Sequence, residues 1–221
     1  YRDDPLVKIR FGPHSPYICS PEVLRTLVEA AREKGGGIHL HVSETERQVA
    51  ESREKHGKTP FQVVAEAGGF TVPCIVAHGL WIEDGDLPLL GEDTYIALCP
   101  KTYMKLGAGR GPIWESWRKV NLCIGTDGAA SSNSVDPLEQ ARLFALLGKL
   151  TDQAEDYPLQ EVWQVMMRGH WALNFGSGSL TPGAAADLCF WDLDTPQTAP
   201  LYDPLAAILY SADSRNIRHV M

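Results

Sequence analysis

Short apolar runs alternating with stretches of helical periodicity constrain this sequence more than any other feature. The runs are LVKIRF from Leu6 to Phe11, IHLHV from Ile38 to Val42, CIVAHGLWI from Cys74, YIALCP from Tyr95 and NLCIGTDG from Asn121. Between the first two lies SPEVLRTLVEAAREKGGG. Ser20 is placed to cap a helix, Pro21 sits at its first position, and Gly35 to Gly37 stop it. TPFQVVAEAGGF repeats that grammar with Thr59, Pro60 and Gly68-Gly69. A helix is expected to begin near Glu44, and a short one near Leu87 to Leu90. This is the rhythm of βα units around a parallel sheet, so the expected class is α/β. After about residue 150, LQEVWQVMMRGHWALNFG reads as a helix and DLCFWDLD as a strand, with further apolar elements in DPLAAILYSA and IRHVM.

Composition narrows the partners. The formal net charge is -8, which argues against a general affinity for nucleic acid or anionic membrane surfaces. No apolar run approaches the length of a membrane span. The five cysteines are scattered and form no CxxC pair, so a disulfide scaffold is not expected and a reducing cytoplasm is. The sequence opens at YRDDPL without Met and stops inside a strand-like run, and it is read as part of a longer protein.

Functional residues of βα proteins collect where strands end. Applied here, that rule selects His14 after the first run, His41 with Glu44 behind it after the second, His78 after the third and Asp127 after the fifth. One such histidine would be unremarkable; the recurrence in successive units marks a site. Imidazole and carboxylate are the usual ligands of a catalytic divalent ion. His41 and Asp127 could supply N and O donors from separate strands. Glu44 could move protons, and His78 could be a further ligand or could stabilise developing charge. His39 lies on the same side of its strand as His41 and is expected to be a buried, hydrogen-bonded residue, a chelating H-x-H pair with His41 being the alternative. His56 reads as a solvent-facing helix end, and His170 and His219 as structural. The glycine-rich GAGRGP, Gly107 to Pro112, is expected to be a loop before a helix, and Trp114 and Trp117 to pack that helix.

In GPHSPYICS, HVSET, VAHGLWI, CPKTYMKLGAG, IGTDGAASSNSVDPLEQARL and GSLTPGAAADLCFWDLD the chain resembles the metal-dependent amidohydrolase superfamily. The nearest branch holds the cytosine, guanine, adenosylhomocysteine and methylthioadenosine deaminases and the triazine hydrolases. That resemblance implies a (β/α)8 barrel, here strands four to eight over residues 1–176. Residues 177–221 would return toward a small β-sandwich. It implies one divalent ion, zinc in the first place with iron as the alternative, ligated by His41 and Asp127. Glu44, His78 and Asp127 become the catalytic groups, and His14, Glu44 and His78 the substrate contacts. The expected reaction is hydrolysis of a C–N bond, deamination of a nucleobase-, pterin- or triazine-like heterocycle, in a homo-oligomer. Hydrolysis of another C–N or a C–Cl bond, or a non-catalytic scaffold, are the alternatives. Two departures stand out. The family's strand-one H-x-H pair is absent from the sequence, and Thr102-Tyr103 occupy the place where relatives commonly carry Ser-Asn.

Overall fold

A computed structural model describes residues 4–221. The chain divides into two compact units, one ending at Val135 and the other running from Asp136 to Met221.

The first unit is built on a five-stranded, fully parallel sheet in sequential order, β1 (Arg10–Phe11), β2 (Gly37–Val42), β3 (Cys74–His78), β4 (Thr94–Leu98) and β5 (Asn121–Ile124). The connections are helical. α1 (Pro21–Lys34) follows β1, α2 (Glu46–His56) and α3 (Pro60–Glu66) follow β2, and α4 (Pro100–Leu106) and α5 (Ile113–Ser116) follow β4. The short α6 (Ala129–Ser132) follows β5. Local chemistry fixes the helix ends. The Ser20 hydroxyl accepts the Val23 amide, and Thr59 with Gln62 forms a reciprocal capping box. Gly35 ends α1 in the left-handed conformation.

Strand alternation separates the two faces of the sheet. Ile38, Leu40 and Val42 of β2 are buried with Val76, Ile96, Leu98 and Leu122 on the side that packs against helices such as α1, whose Leu24, Val28 and Ala31 are buried. His39 and His41 point the other way. Two expectations need correction. The first strand is only Arg10–Phe11, because the Asp4 side chain accepts the Leu6 amide and its carbonyl the Val7 amide, turning the chain at Leu6. His39 is exposed rather than buried: alternation gives its face, and that face lies open at its position. The helix expected near Glu44 begins at Glu46, with Thr45 as the N-cap of α2.

The glycine-rich GAGRGP segment is a packing loop. A side chain at Gly111 would overlap the Leu80 carbonyl, whose oxygen accepts the Ile113 amide, and Trp81 Nε1 donates to the Ala108 carbonyl at 3.2 Å. Trp114 and Trp117 are buried in α5 and just after it, as expected.

The second unit contains α7 (Pro137–Thr151), α8 (Leu159–Leu173) and α9 (Pro204–Tyr210) with a two-stranded antiparallel sheet of β6 (Cys189–Trp191) and β7 (Ile217–Val220). The Arg142 side chain ties α7 to the end of α9 by donating to the Leu209 and Ala212 carbonyls. His170 bonds the Ser177 hydroxyl and His219 packs edge-on against Phe190, so both serve this unit's own structure. All five cysteines are free thiols. Among the described residues no helix is long and apolar enough to cross a membrane.

Candidate active site

The C-terminal ends of β2, β3 and β5 share an unusual backbone feature. Ser43, His78 and Asp127 all adopt positive φ, 50°, 74° and 55°. Non-glycine residues avoid this region, at a cost of roughly 1–3 kcal/mol each. Neighbouring hydrogen bonds hold the strained segments in place: Gly79 donates to Val42, Trp81 to the Ser43 carbonyl, and Gly125 to Leu98. The conformation matters most at His78. Its register partner is Val42, which faces the helices, so simple alternation would bury the imidazole there. The ring instead lies beside His41.

The imidazoles form a column. His14 stacks on His41 with centroids 4.6 Å apart, and His41 on His78 at 5.4 Å. His78 then meets the edge of Tyr103 at 5.7 Å and 63°. His41 is fixed by one acceptor, the His14 carbonyl, which takes both its backbone amide at 2.9 Å and its ring Nδ1 at 2.8 Å. A carbonyl only accepts, so Nδ1 carries the proton, and in the neutral ring Nε2 keeps its lone pair. That is the tautomer an imidazole needs to bind a metal ion through Nε2.

The carboxylates lie at the same strand ends. Glu44 Oε1 is 3.9 Å from His78 Nε2, while the Glu44 amide is held by the Gln48 side chain that completes the α2 capping box. Burial, with His78 only 2% exposed, keeps its pKa below the usual imidazole value, against the pull of Glu44 and Asp127. For Asp127, burial pushes the pKa upward. The Ser131 hydroxyl, the Gly128 amide at 2.7 Å, His78 and Thr102 outweigh it and hold the carboxyl below its ordinary range. Asp127 is therefore an anion at neutral pH.

His14, His41, Glu44 and His78 are thus brought together by ring stacking and charge contact, and Asp127 shares the field of His78. Among the described residues, no three of the His, Cys, Asp and Glu side chains are grouped so that they could hold a metal ion between them. Tyr17, Thr102 and Tyr103 are the residues that the strand-end reading did not select. Tyr17 lies against Ser43 and Glu44, and Thr102 and Tyr103 occupy the first turn of α4, just past the end of β4. The same strand-end rule, extended into that turn, would have found the latter two. His78 Nδ1 and Ser43 Oγ are buried without a hydrogen-bond partner among the described residues. Folded proteins hold few such atoms, so their gathering around one set of strand ends marks a place built to meet another molecule.

The profile of the amidohydrolase family matches residues 1–221. The chain is 37% identical over 224 residues to a 5-methylthioadenosine/S-adenosylhomocysteine deaminase of Pelotomaculum thermopropionicum, covering 99% of this chain and 52% of that protein. It is 36% identical over 216 residues to a 5'-deoxyadenosine deaminase of Methanosarcina mazei, covering 96% of this chain and 50% of that one. Among solved structures, an adenosine deaminase from Xanthomonas campestris with bound zinc superposes with a TM-score of 0.93 and 31% identity, over 100% of this chain and 52% of that one. The chain therefore spans about half the length of the curated relatives it matches, and its parallel sheet is an arc of the barrel these proteins share.

Proposed function

Because the chain belongs to the amidohydrolase family, we propose that the protein it forms part of is a metal-dependent aminohydrolase acting on an amino-substituted purine nucleoside. The observation that carries this reading is the His41 ring, held with Nδ1 on the His14 carbonyl and Nε2 left as a donor atom. The donor set fits a divalent ion, zinc in the first place. His41 Nε2 and the ionised Asp127 carboxylate would be two of its ligands, with others from outside this chain. When bound, such an ion lowers the pKa of its water toward neutrality, making hydroxide available there.

The chain's own residues supply the proton chemistry. Water adds to the ring carbon that bears the amino group, and Asp127 takes up the proton that the water gives away. Glu44 carries the water's second proton to the ring nitrogen, and the proton held by Asp127 returns to the departing amine, so that the C–N bond breaks, ammonia leaves and a carbonyl remains. His78, kept neutral by burial against the pull of Glu44 3.9 Å away, donates a hydrogen bond to the charge that develops on the attacking oxygen. His14, exposed at the head of the column, contacts the substrate.

The names of the relatives support a nucleoside of the adenosine type over guanine or a triazine. The absence of any disulfide among five cysteines supports a reducing compartment, the cytoplasm. The test is ammonia release by the full-length, zinc-loaded protein from adenosine, 5'-deoxyadenosine, methylthioadenosine, guanine and an aminotriazine. Release from the adenosine-type compounds is expected. Zinc-loaded protein that liberates no ammonia from any of them, or that liberates only chloride from a chlorotriazine, would overturn the reading.

A further inference from the structure

Tyr103 is the one member of the ring column that is neither an imidazole nor a strand-end residue. It stands in the first turn of α4, is 3% exposed, and its hydroxyl accepts the backbone amide of Cys99, four residues earlier, at 2.9 Å. That bond ties the ring back to the start of its own helix. The ring thus presents its face or edge to His78 at 5.7 Å and 63°.

His78 needs such a neighbour. Its backbone is in the left-handed region, which tertiary contacts must maintain. Its Nδ1 is buried without a hydrogen-bond partner among the described residues, so no polar contact on that nitrogen sets the ring's rotation. The contact toward Glu44 is 3.9 Å long, beyond hydrogen-bond reach, and does not set it either. What remains is packing between His41 on one side and Tyr103 on the other. Burial and the nearby carboxylates Glu44 and Asp127 keep the phenol protonated, so the ring stays a neutral wall at every working pH.

We propose that Tyr103 is a positioning residue whose aromatic ring fixes the orientation of His78 toward Glu44. This rests on the assignment of His78 and Glu44 to the reaction made above. The ring does the positioning, and the hydroxyl's bond to the Cys99 amide adds to a seat that burial already provides. Other residue types at this position would leave His78 free to rotate unless they supplied an equivalent wall.

The experiment uses the full-length protein and three forms, the parent, Tyr103→Phe and Tyr103→Leu, each checked for cooperative unfolding. Long-range imidazole ¹H–¹⁵N spectra of the metal-free protein read the His78 ring directly and need no activity. A single fixed tautomer is expected in the parent and in Tyr103→Phe, and an averaged signal in Tyr103→Leu. In the zinc-loaded enzyme, kcat of Tyr103→Leu should fall on the order of 10²-fold with KM nearly unchanged. Tyr103→Phe should stay within about threefold of the parent. An unchanged His78 spectrum in Tyr103→Leu, or kcat in that variant as high as in Tyr103→Phe, overturns the proposal. If Tyr103→Leu does not fold, a parent-like spectrum and kcat in Tyr103→Phe support it, and loss of either there overturns it. A parent without deaminase activity sinks the functional assignment instead, while the spectra still decide whether Tyr103 holds His78.

Discussion

His41 gives two protons to a single oxygen, the carbonyl of His14, one from its backbone amide at 2.9 Å and one from its ring at 2.8 Å. The first bond joins the segment after β1 to β2, and the second fixes the ring. A backbone acceptor cannot be mutated away or titrated, so the tautomer of His41 is set by the course of the chain itself. Metal removal should therefore be reversible. Chelation should abolish ammonia release, and stoichiometric zinc should restore it without refolding. His41→Gln and Asp127→Asn should each weaken zinc binding by more than the roughly 10–100-fold that loss of an outer-shell partner costs. Full zinc content in either variant, read by metal analysis of the dialysed protein, would remove that residue from the ligand set.

In the proposed reaction Glu44 moves protons, and its side chain is not needed to hold structure. Its carboxylate is one-quarter exposed and its amide, not its side chain, joins the α2 cap. Glu44→Gln keeps shape and hydrogen bonding but cannot exchange a proton at neutral pH. The expected loss in kcat is about 10²–10⁴-fold, with zinc content and thermal midpoint close to the parent's. Turnover at the parental rate in metal-replete Glu44→Gln would exclude it from the reaction.

Two buried thiols report on folding and on pH. Burial pushes the Cys74 and Cys99 thiols up to about 12, with Arg10 opposing the shift at Cys74 and the Asp127 charge adding to it at Cys99. At pH 8 iodoacetamide should modify exposed Cys189 and half-buried Cys19 while leaving Cys74 and Cys99 intact until the chain unfolds. The stability consequence has a definite sign. In the unfolded chain these thiols ionise near 9, the ordinary value, and in the folded one near 12. Above pH 9 the unfolded state holds fewer protons, so stability should be intact below that pH and decline as pH rises toward 12. Denaturant midpoints that stay flat between pH 9 and 11 would contradict it.

The glycine-rich loop offers a purely structural test. Gly111→Ala forces a methyl into the Leu80 carbonyl, which is backbone and cannot swing aside. The expected loss is about 1–3 kcal/mol, seen as a lower denaturant midpoint. Gly107→Ala meets no neighbouring atom, though its φ of 67° still disfavours a side chain, and about 1 kcal/mol is expected there. Equal midpoints for Gly111→Ala and the parent would mean that the loop does not pack as described.

Much of this arrangement is legible in the sequence because its signals are local. Ser20-Pro21, Thr59-Pro60 and the glycines after each helix act within four residues, and the helices begin and end where those residues say. The five parallel strands follow from the same rhythm. What failed is what depends on the surroundings. Alternation gives the face of His39 but not what covers it, and Leu6 and Ile9 read as strand although an aspartate turn claims the chain before them. The gathering of His14, His41 and His78 follows from the strand-end rule, but the way His78 arrives there does not. Its register alone would send it into the helix layer, and only the backbone angle reverses that. Tyr103 was visible as a departure from the family pattern, and its contact with His78 is a fact of three dimensions.

The left-handed angles at Ser43, His78 and Asp127 bear on how this scaffold can diversify. A β-branched or bulky side chain at any of the three would add steric cost to positions already held uphill, so drift there is confined to a handful of small or polar alternatives. Innovation in substrate choice must then come from the loops beyond those corners. The corners themselves behave as fixed hinges around which new pockets are tailored.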